Sequence, residues 1–145
     1  MRIFATLAAL TSLVAVSTAR IEAVAAPKTI KVGEPFDIIL MGFGYIQTVD
    51  DIAAAFGVGP EDFNSGEALG QVFGSVYLGP EKSNIRGNLT FPVTVPTSWE
   101  DADALTITTG VYSLYGAQDL AVVDIFKVVT EVGDETSEEY VRSSV

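Results

Sequence analysis

The sequence contains no cysteine. A chain without cysteine forms no disulfide, has no thiol nucleophile and offers no thiolate ligand to a metal. Many small extracellular domains depend on disulfides because their cores are small. This chain must instead be held together by packing, and its fold is therefore expected to survive in a reducing compartment as well as an oxidising one.

Histidine is also absent. Histidine is the usual general base at neutral pH, a member of the common nucleophilic triads and the commonest zinc ligand. Acidic pairs do occur, for example Asp50–Asp51 and Glu61–Asp62. Neighbouring residues on a strand point to opposite faces, however, whereas a glycosidase needs two carboxyl groups that face each other across a cleft. We therefore expect no enzymatic activity, no cofactor and no metal site.

Basic residues are scarce. The chain has 8 Lys and Arg against 19 Asp and Glu, a formal net charge of −11. Nucleic acids and anionic lipid surfaces are bound through clusters of basic residues, so neither is an expected partner. A strongly acidic protein suits a soluble extracellular role or a partner with a basic surface.

The amino end has the pattern of a secretory signal peptide. Arg2 is followed by an apolar run of about 14 residues and then by the small residues Ser17, Thr18 and Ala19. The run is shorter than the roughly 20 residues that span a bilayer. We predict a signal peptide over residues 1–19, cleaved after Ala19, and a secreted protein. Cleavage removes Arg2 and no acidic residue, so the mature net charge becomes −12.

Residues 20–133 are expected to form one domain of short strands separated by turns. Phe36, Ile38 and Leu40 alternate with other residues, as do the apolar positions of residues 89–95 and 105–111. Residues 48–57 fit either a helix or a strand, and their flanking glycines favour a strand. About seven strands without an amphipathic helix predict an all-β fold, a two-sheet antiparallel sandwich of the immunoglobulin or fibronectin-III type.

Two further features concern the borders of this domain. Pro92 lacks a backbone donor, so its strand is expected at a sheet edge. Charges and Pro92 on the edges favour a monomer. Residues 134–145 are acidic and poor in apolar residues, which predicts a flexible tail.

The candidate sites concern modification and binding. Asn88-Leu89-Thr90 is an N-glycosylation sequon, which predicts a glycan on Asn88 if the chain is secreted by a eukaryote. Tyr45, Tyr112 and Tyr115 lie near strand ends beside glycines, where their hydroxyls could face water. With Gln47 they are the candidate partner-binding residues, because tyrosine is enriched at interfaces. The alternative for each tyrosine is packing in the core or at a corner of the sandwich.

Several phrases of the sequence, in this order, resemble a known family. They are Ala26-Pro27-Lys28-Thr29-Ile30-Lys31-Val32-Gly33-Glu34-Pro35-Phe36-Asp37-Ile38, then Gly44-Tyr45-Ile46-Gln47-Thr48-Val49-Asp50-Asp51-Ile52, Tyr77-Leu78-Gly79-Pro80-Glu81-Lys82-Ser83-Asn84 and Gly110-Val111-Tyr112-Ser113-Leu114-Tyr115-Gly116-Ala117. Together they resemble the necrosis-inducing secreted protein family of fungal effectors, over residues 21–132.

The resemblance implies an effector that a plant-associated fungus delivers to the host apoplast, with entry into the host cytoplasm left open. Its implied partners are host plant receptor-like kinases, both a membrane co-receptor and cytoplasmic kinases. The implied effect is suppression of pattern-triggered immunity, and some members induce cell death. No binding residues are carried over by the resemblance. The alternative function is a secreted glycan- or cell-wall-binding module, in which an exposed Tyr45 or Tyr115 would stack on a sugar.

Overall fold

The computed structural model describes residues 17–143. Most of the predicted signal peptide, residues 1–16, lies outside this part, so its cleavage stays a prediction. Ala19 lies inside it and is the first residue of the first strand, where it pairs with Gly44. Between residues 17 and 143 no helix is both long and apolar enough to cross a membrane.

The described chain forms nine strands and two short 3-10 helices. The strands are β1 Ala19–Pro27, β2 Thr29–Ile30, β3 Phe36–Gly44, β4 Val49–Pro60, β5 Gln71–Tyr77, β6 Gly87–Val93, β7 Ala104–Tyr115, β8 Leu120–Val132 and β9 Tyr140–Arg142, and the 3-10 turns are Pro80–Lys82 and Thr97–Trp99. One sheet has the order β6-β3-β1-β9 and the other β2-β8-β7-β4-β5. The prediction of a two-sheet all-β fold is confirmed, with nine strands rather than about seven. The two-residue β2 pairs with β8 in parallel, unlike the other strand pairs between residues 17 and 143.

The core lies between the two sheets and is built by alternation. Phe36, Ile38 and Leu40 of β3 are buried, as the sequence pattern predicts. They face buried residues of the other sheet, among them Phe56, Val58, Leu105, Ile107 and Val111. Burying such side chains contributes about 1.5–3 kcal/mol each, so packing replaces the missing disulfides.

The ambiguous segment 48–57 is a strand, because it occupies the inside of the five-stranded sheet, between β7 and β5. Backbone pairing on both sides outweighs the helix preference of its alanines. Pro92 lies on β6, an edge strand, as predicted. Its missing donor therefore leaves no gap in the sheet.

The structure differs from the expectation of a flexible tail in residues 134–143, which are the part of that segment that it describes. The segment folds back along β1, where β9 pairs with Ala25, Ala26 and Pro27. The hydroxyl of the buried Ser143 accepts a hydrogen bond from the Val24 amide at 3.1 Å. The acidic composition concealed this, because the segment is ordered by backbone pairing rather than by burying many apolar side chains.

Candidate partner-binding site

Three of the four predicted partner-binding residues lie at one end of the sandwich. Tyr45 follows β3 and Tyr115 ends β7, and their rings meet edge to face with centroids 5.7 Å apart. The side-chain amide of Gln47 lies beside Gly116, 3.5 Å from where a Cβ of that glycine would be. We call the surface formed by Tyr45, Ile46, Gln47, Tyr115 and Leu120 the tyrosine end.

Charged groups hold both tyrosines in place. The Arg20 guanidinium lies over the Tyr45 ring, 4.7 Å from its centroid, and is itself paired with Glu22 at 3.0 Å. The Tyr115 hydroxyl donates to Asp124 Oδ2 at 2.9 Å. Burial and this hydrogen bond raise the pKa of Tyr115 to about 12. The Tyr115 hydroxyl therefore stays protonated and donates to Asp124. This is close to the alternative given above for each tyrosine, packing at a corner of the sandwich instead of binding a partner.

Two exposed apolar side chains at this end were missed by the sequence reasoning. Ile46 is 92% exposed in the turn between β3 and β4. Leu120 is 65% exposed and pairs with Tyr115 in the sheet. Ile46 could have been found from the sequence, because a branched apolar residue in a predicted turn is expected to be exposed. Exposed apolar residues beside held aromatic rings are the usual composition of a protein-binding surface.

The chain after β5 supports this end by replacing a strand. β5 stops pairing at Ala53, and the rest of the β4 edge is covered by residues 78–84. The Asn84 side-chain amide accepts from the Val49 amide at 3.0 Å and donates to the Val49 carbonyl at 2.9 Å. The Ser83 hydroxyl accepts from the Asp51 amide at 2.8 Å. Two side chains thus satisfy backbone groups that a neighbouring strand would otherwise satisfy.

The turn that begins this segment requires glycine. Gly79 has a φ of 69°, and a Cβ there would lie 2.6 Å from the ring of Tyr77. The left-handed conformation strains any residue that has a Cβ, and such a residue would also have to displace the Tyr77 ring. Residues 78–84, which make up most of the phrase Tyr77–Asn84 in the family resemblance, are therefore explained by architecture.

Two other phrases of the family resemblance, Gly44–Ile52 and Gly110–Ala117, meet at a buried carboxyl group. Asp51 is 3% exposed, and the Ser113 hydroxyl donates to its Oδ1 at 2.6 Å. Burial raises the pKa of Asp51, against the smaller opposing effect of the Ser113 hydrogen bond. The group lies beneath the tyrosine end, on the strand that begins with Val49. It helps to tie β4 to β7 there.

The fourth predicted residue, Tyr112, is not part of the tyrosine end. It lies on the outer face of the five-stranded sheet, in one row with Tyr77, Ala53 and Val123. The small residues in the middle of this face leave a shallow hollow of about 300 Å³. We call this hollow the sheet-face groove, lined among others by Ala53, Ala55, Glu67, Leu69, Tyr112 and Val123.

Asn88 lies on β6 with its side chain exposed, opposite Met41 in the register. Thr90, the third residue of the sequon, is exposed as well. The acceptor is thus accessible at a sheet edge. Modification itself stays a prediction.

Comparisons with known proteins agree with the resemblance seen in the sequence. The profile of the Nis1 family matches residues 17–131. Necrosis-inducing secreted protein 1 of Colletotrichum orbiculare is 43% identical over 143 residues, which are 99% of this chain and 88% of that protein. The protein of the same name from Colletotrichum higginsianum is 41% identical, over 99% of both chains. A superoxide reductase from Ignicoccus hospitalis covers 80% of each chain at 13% identity, with a TM-score of 0.45 that supports no argument.

The family profile spans the β-sandwich from residue 17 to within β8. Both relatives are named secreted proteins, in agreement with the predicted secretion. This chain belongs to the Nis1 family and is a secreted protein.

Proposed function

We propose that this protein is a secreted effector that induces necrosis in host plant tissue. We further propose that it binds host receptor-like kinases, both a membrane co-receptor and cytoplasmic kinases, and thereby suppresses pattern-triggered immunity. The necrosis proposal is supported by two relatives above 40% identity that are named necrosis-inducing secreted proteins. A cysteine-free fold supports the proposal of cytoplasmic partners, because it does not depend on an oxidising compartment.

The tyrosine end is the surface that we assign to the kinase. The observation that supports it is Ile46, which is almost fully exposed beside two tyrosines that are fixed by Arg20 and Asp124. A pre-ordered surface loses little conformational entropy on binding. Ile46 and Leu120 would then supply the apolar contact.

The proposed inhibition is steric and involves no covalent step. A folded domain that docks beside the substrate-binding surface of a kinase excludes the protein substrate. The net charge of this chain favours approach to a basic partner surface, which raises the association rate at low salt. We therefore expect the association rate to fall as salt is raised, with a smaller change in the dissociation rate.

The test uses purified residues 20–145 and the recombinant kinase domain of a plant membrane co-receptor. Calorimetry measures binding, and phosphorylation of a substrate protein is followed in parallel. Ile46→Glu should weaken binding at least about tenfold, since a charge at the centre of an interface costs more than 1.4 kcal/mol.

Val129→Glu is the matched control, because Val129 is, like Ile46, an exposed apolar residue but lies on β8. It lies nine residues along β8 from Leu120, which is roughly 30 Å away. Equal losses for the two variants would reject the tyrosine end as the contact surface. Absence of saturable binding by the wild type, or binding without reduced phosphorylation, would reject kinase inhibition.

The second candidate function is glycan or cell-wall binding, and the sheet face favours it. Tyr77 is 69% exposed and Tyr112 is also exposed, one on each side of Ala53. Two strand spacings place them about 10 Å apart, a distance that suits stacking on two sugar rings. Sedimentation with insoluble chitin and β-glucan separates the two functions. Retention that is lost in Tyr77→Ala but kept in Ile46→Glu would favour the glycan.

A further inference from the structure

The sandwich is open along one side, between the edge strands β5 and β6. The gap is a cleft of about 620 Å³. Its walls include Phe73 of β5 and Phe91 of β6, with Phe56 of β4 between them, and its lining contains no charged residue. A Cβ at Gly74 would be 3.5 Å from both Phe56 and Val93, so this glycine packs closely against both sides of the cleft. Apolar core side chains therefore border an opening at the sheet edge.

The four sheet edges in the described part of the chain differ in how they are protected. β2 and β9 have only two and three residues, and β6 contains Pro92 and the sequon residue Asn88. β5 has seven residues and contains neither proline nor a charged residue. Short length, proline and charge are the usual ways to prevent a foreign strand from pairing with an edge. β5 lacks all three, and its one irregularity is a bulge at Phe73.

The segment of β5 beyond this bulge presents free backbone groups. The Leu78 amide donates to Ile52 on β4 at 2.9 Å. Backbone groups alternate in direction along a strand, so those of Val76 also face β4, whereas those of Ser75 and Tyr77 face the open edge. Two donors and two acceptors are therefore available to a further strand.

We propose that the free edge of β5 accepts an extended segment of a partner protein as an added strand. Strand addition gains affinity from backbone hydrogen bonds and specificity from pockets that take alternate side chains. Here the inward side chains of the added strand would enter the cleft beside Phe73 and Phe91, so they must be apolar. The outward side chains would follow Tyr77 and Ser75 on the sheet face.

The charge of the protein decides which partner fits. The outward face beside β5 carries Glu67, which takes part in no ion pair within the described residues. Glu81 and Lys82 after β5 offset each other. A second copy of this chain would bring another large negative charge to the same edge. The occupant is therefore a net basic segment in which apolar residues alternate with Lys, Arg or Thr.

A proline substitution tests this edge without breaking the sheet. In Ser75→Pro the lost donor faces the open edge, so pairing with β4 is kept, and proline is tolerated in such positions. Ser75→Ala is the matched control, because it keeps the donor. Circular dichroism and urea unfolding verify that both variants fold.

The probe is a displayed library of random twelve-residue peptides, selected on immobilised residues 20–145. Recovered peptides should alternate apolar and basic residues, bind Ser75→Ala within about twofold of wild type and bind Ser75→Pro at least about tenfold more weakly. Hydrogen exchange should show new protection at Ser75 and Tyr77. Failure to recover any peptide, or equal binding to Ser75→Pro, would overturn the proposal.

Two further measurements separate this inference from the proposed function. In the first, the kinase domain is titrated against Ser75→Pro and Ser75→Ala. Only this titration rests on the proposed function. A kinase that does not bind the wild type rejects that function, while the peptide selection still decides the role of β5. Sedimentation velocity tests whether a second copy of this chain, rather than a basic partner, pairs with the edge of β5. A wild-type dimer that becomes a monomer in Ser75→Pro would show that a second copy fills the edge, which would overturn the assignment to a basic partner.

Discussion

Asn84 offers a quantitative test of how the tyrosine end is supported. Its side chain makes both hydrogen bonds to Val49, whose side chain is fully buried at the start of β4. Its own backbone has a φ of 56°, in the left-handed region. Two separate contributions, hydrogen bonding and backbone conformation, are thus combined in one residue.

Two substitutions separate these contributions. Asn84→Gly keeps the left-handed backbone and removes the hydrogen bonds, which should lower the free energy of unfolding by about 2 kcal/mol, at about 1 kcal/mol for each bond. Asn84→Ala removes the same hydrogen bonds and also places alanine, which is strained in the left-handed region, where glycine is not. We expect it to be about 1 kcal/mol less stable than Asn84→Gly. We therefore expect wild type to be most stable, then Asn84→Gly, then Asn84→Ala.

Urea unfolding followed by the fluorescence of Trp99 measures these differences. Trp99 is the single tryptophan, packs against the core and donates to Gln71 at 2.8 Å, so its emission should change on unfolding. A shift of the midpoint at constant slope reports a change in stability. If both variants lie within about 0.5 kcal/mol of wild type, the side chain does not replace a strand. If Asn84→Gly is the less stable variant, the backbone argument is wrong.

Three other predictions follow from buried or exposed polar groups. Burial raises the pKa of Asp51 above its ordinary 3.8, so the folded state binds the carboxyl proton more tightly than the unfolded state does. The stability that comes from this proton is lost as pH rises through the folded pKa. Asp51→Asn should therefore gain stability relative to wild type between pH 4 and pH 7, as measured by thermal unfolding at each pH, and a pH-independent difference would contradict this. Thr109→Val should stabilise the fold by about 1 kcal/mol, because the buried Thr109 hydroxyl has no hydrogen-bond partner among residues 17–143. Thr130→Val should destabilise it by about 1 kcal/mol or more, because the Thr130 hydroxyl donates to the Pro27 carbonyl at 2.6 Å and lies 3.2 Å from that of Lys28. Secretion of the wild type from a yeast should give a glycosidase-sensitive band that Asn88→Gln lacks, and comigration of the two would refute glycosylation.

The sheets could be predicted from sequence because their signals are local. The apolar alternation of residues 105–111 falls within β7, and most of the alternation of residues 89–95 falls within β6, because alternation depends only on neighbouring residues. The position of β6 at an edge followed from one proline. Such features need no knowledge of the rest of the fold.

The errors and omissions concern residues whose structure depends on distant partners. Residues 134–143 are ordered by β1, more than a hundred positions away, and their composition carries no trace of it. Tyr112 and Tyr115 look equivalent in sequence, yet one is exposed on a sheet face and the other is half-buried and bonded to Asp124. Burial of a strand-end tyrosine is decided by the neighbouring strands, which a local pattern cannot specify.

The most recognisable phrases of this chain are mainly architectural. Ser83, Asn84 and Ser113 all point their polar groups into the protein, where they satisfy β4 or the carboxyl group that it carries. Such residues are chemically constrained because an unpaired buried group is costly, whatever the partner of the protein. A partner, by contrast, can contact only exposed groups, such as Ile46 and the edge of β5. The buried polar residues of these phrases therefore indicate how the binding surface is held. The identity of the partner must be sought in the exposed residues, whether they lie within a phrase, as Ile46 does, or between the phrases.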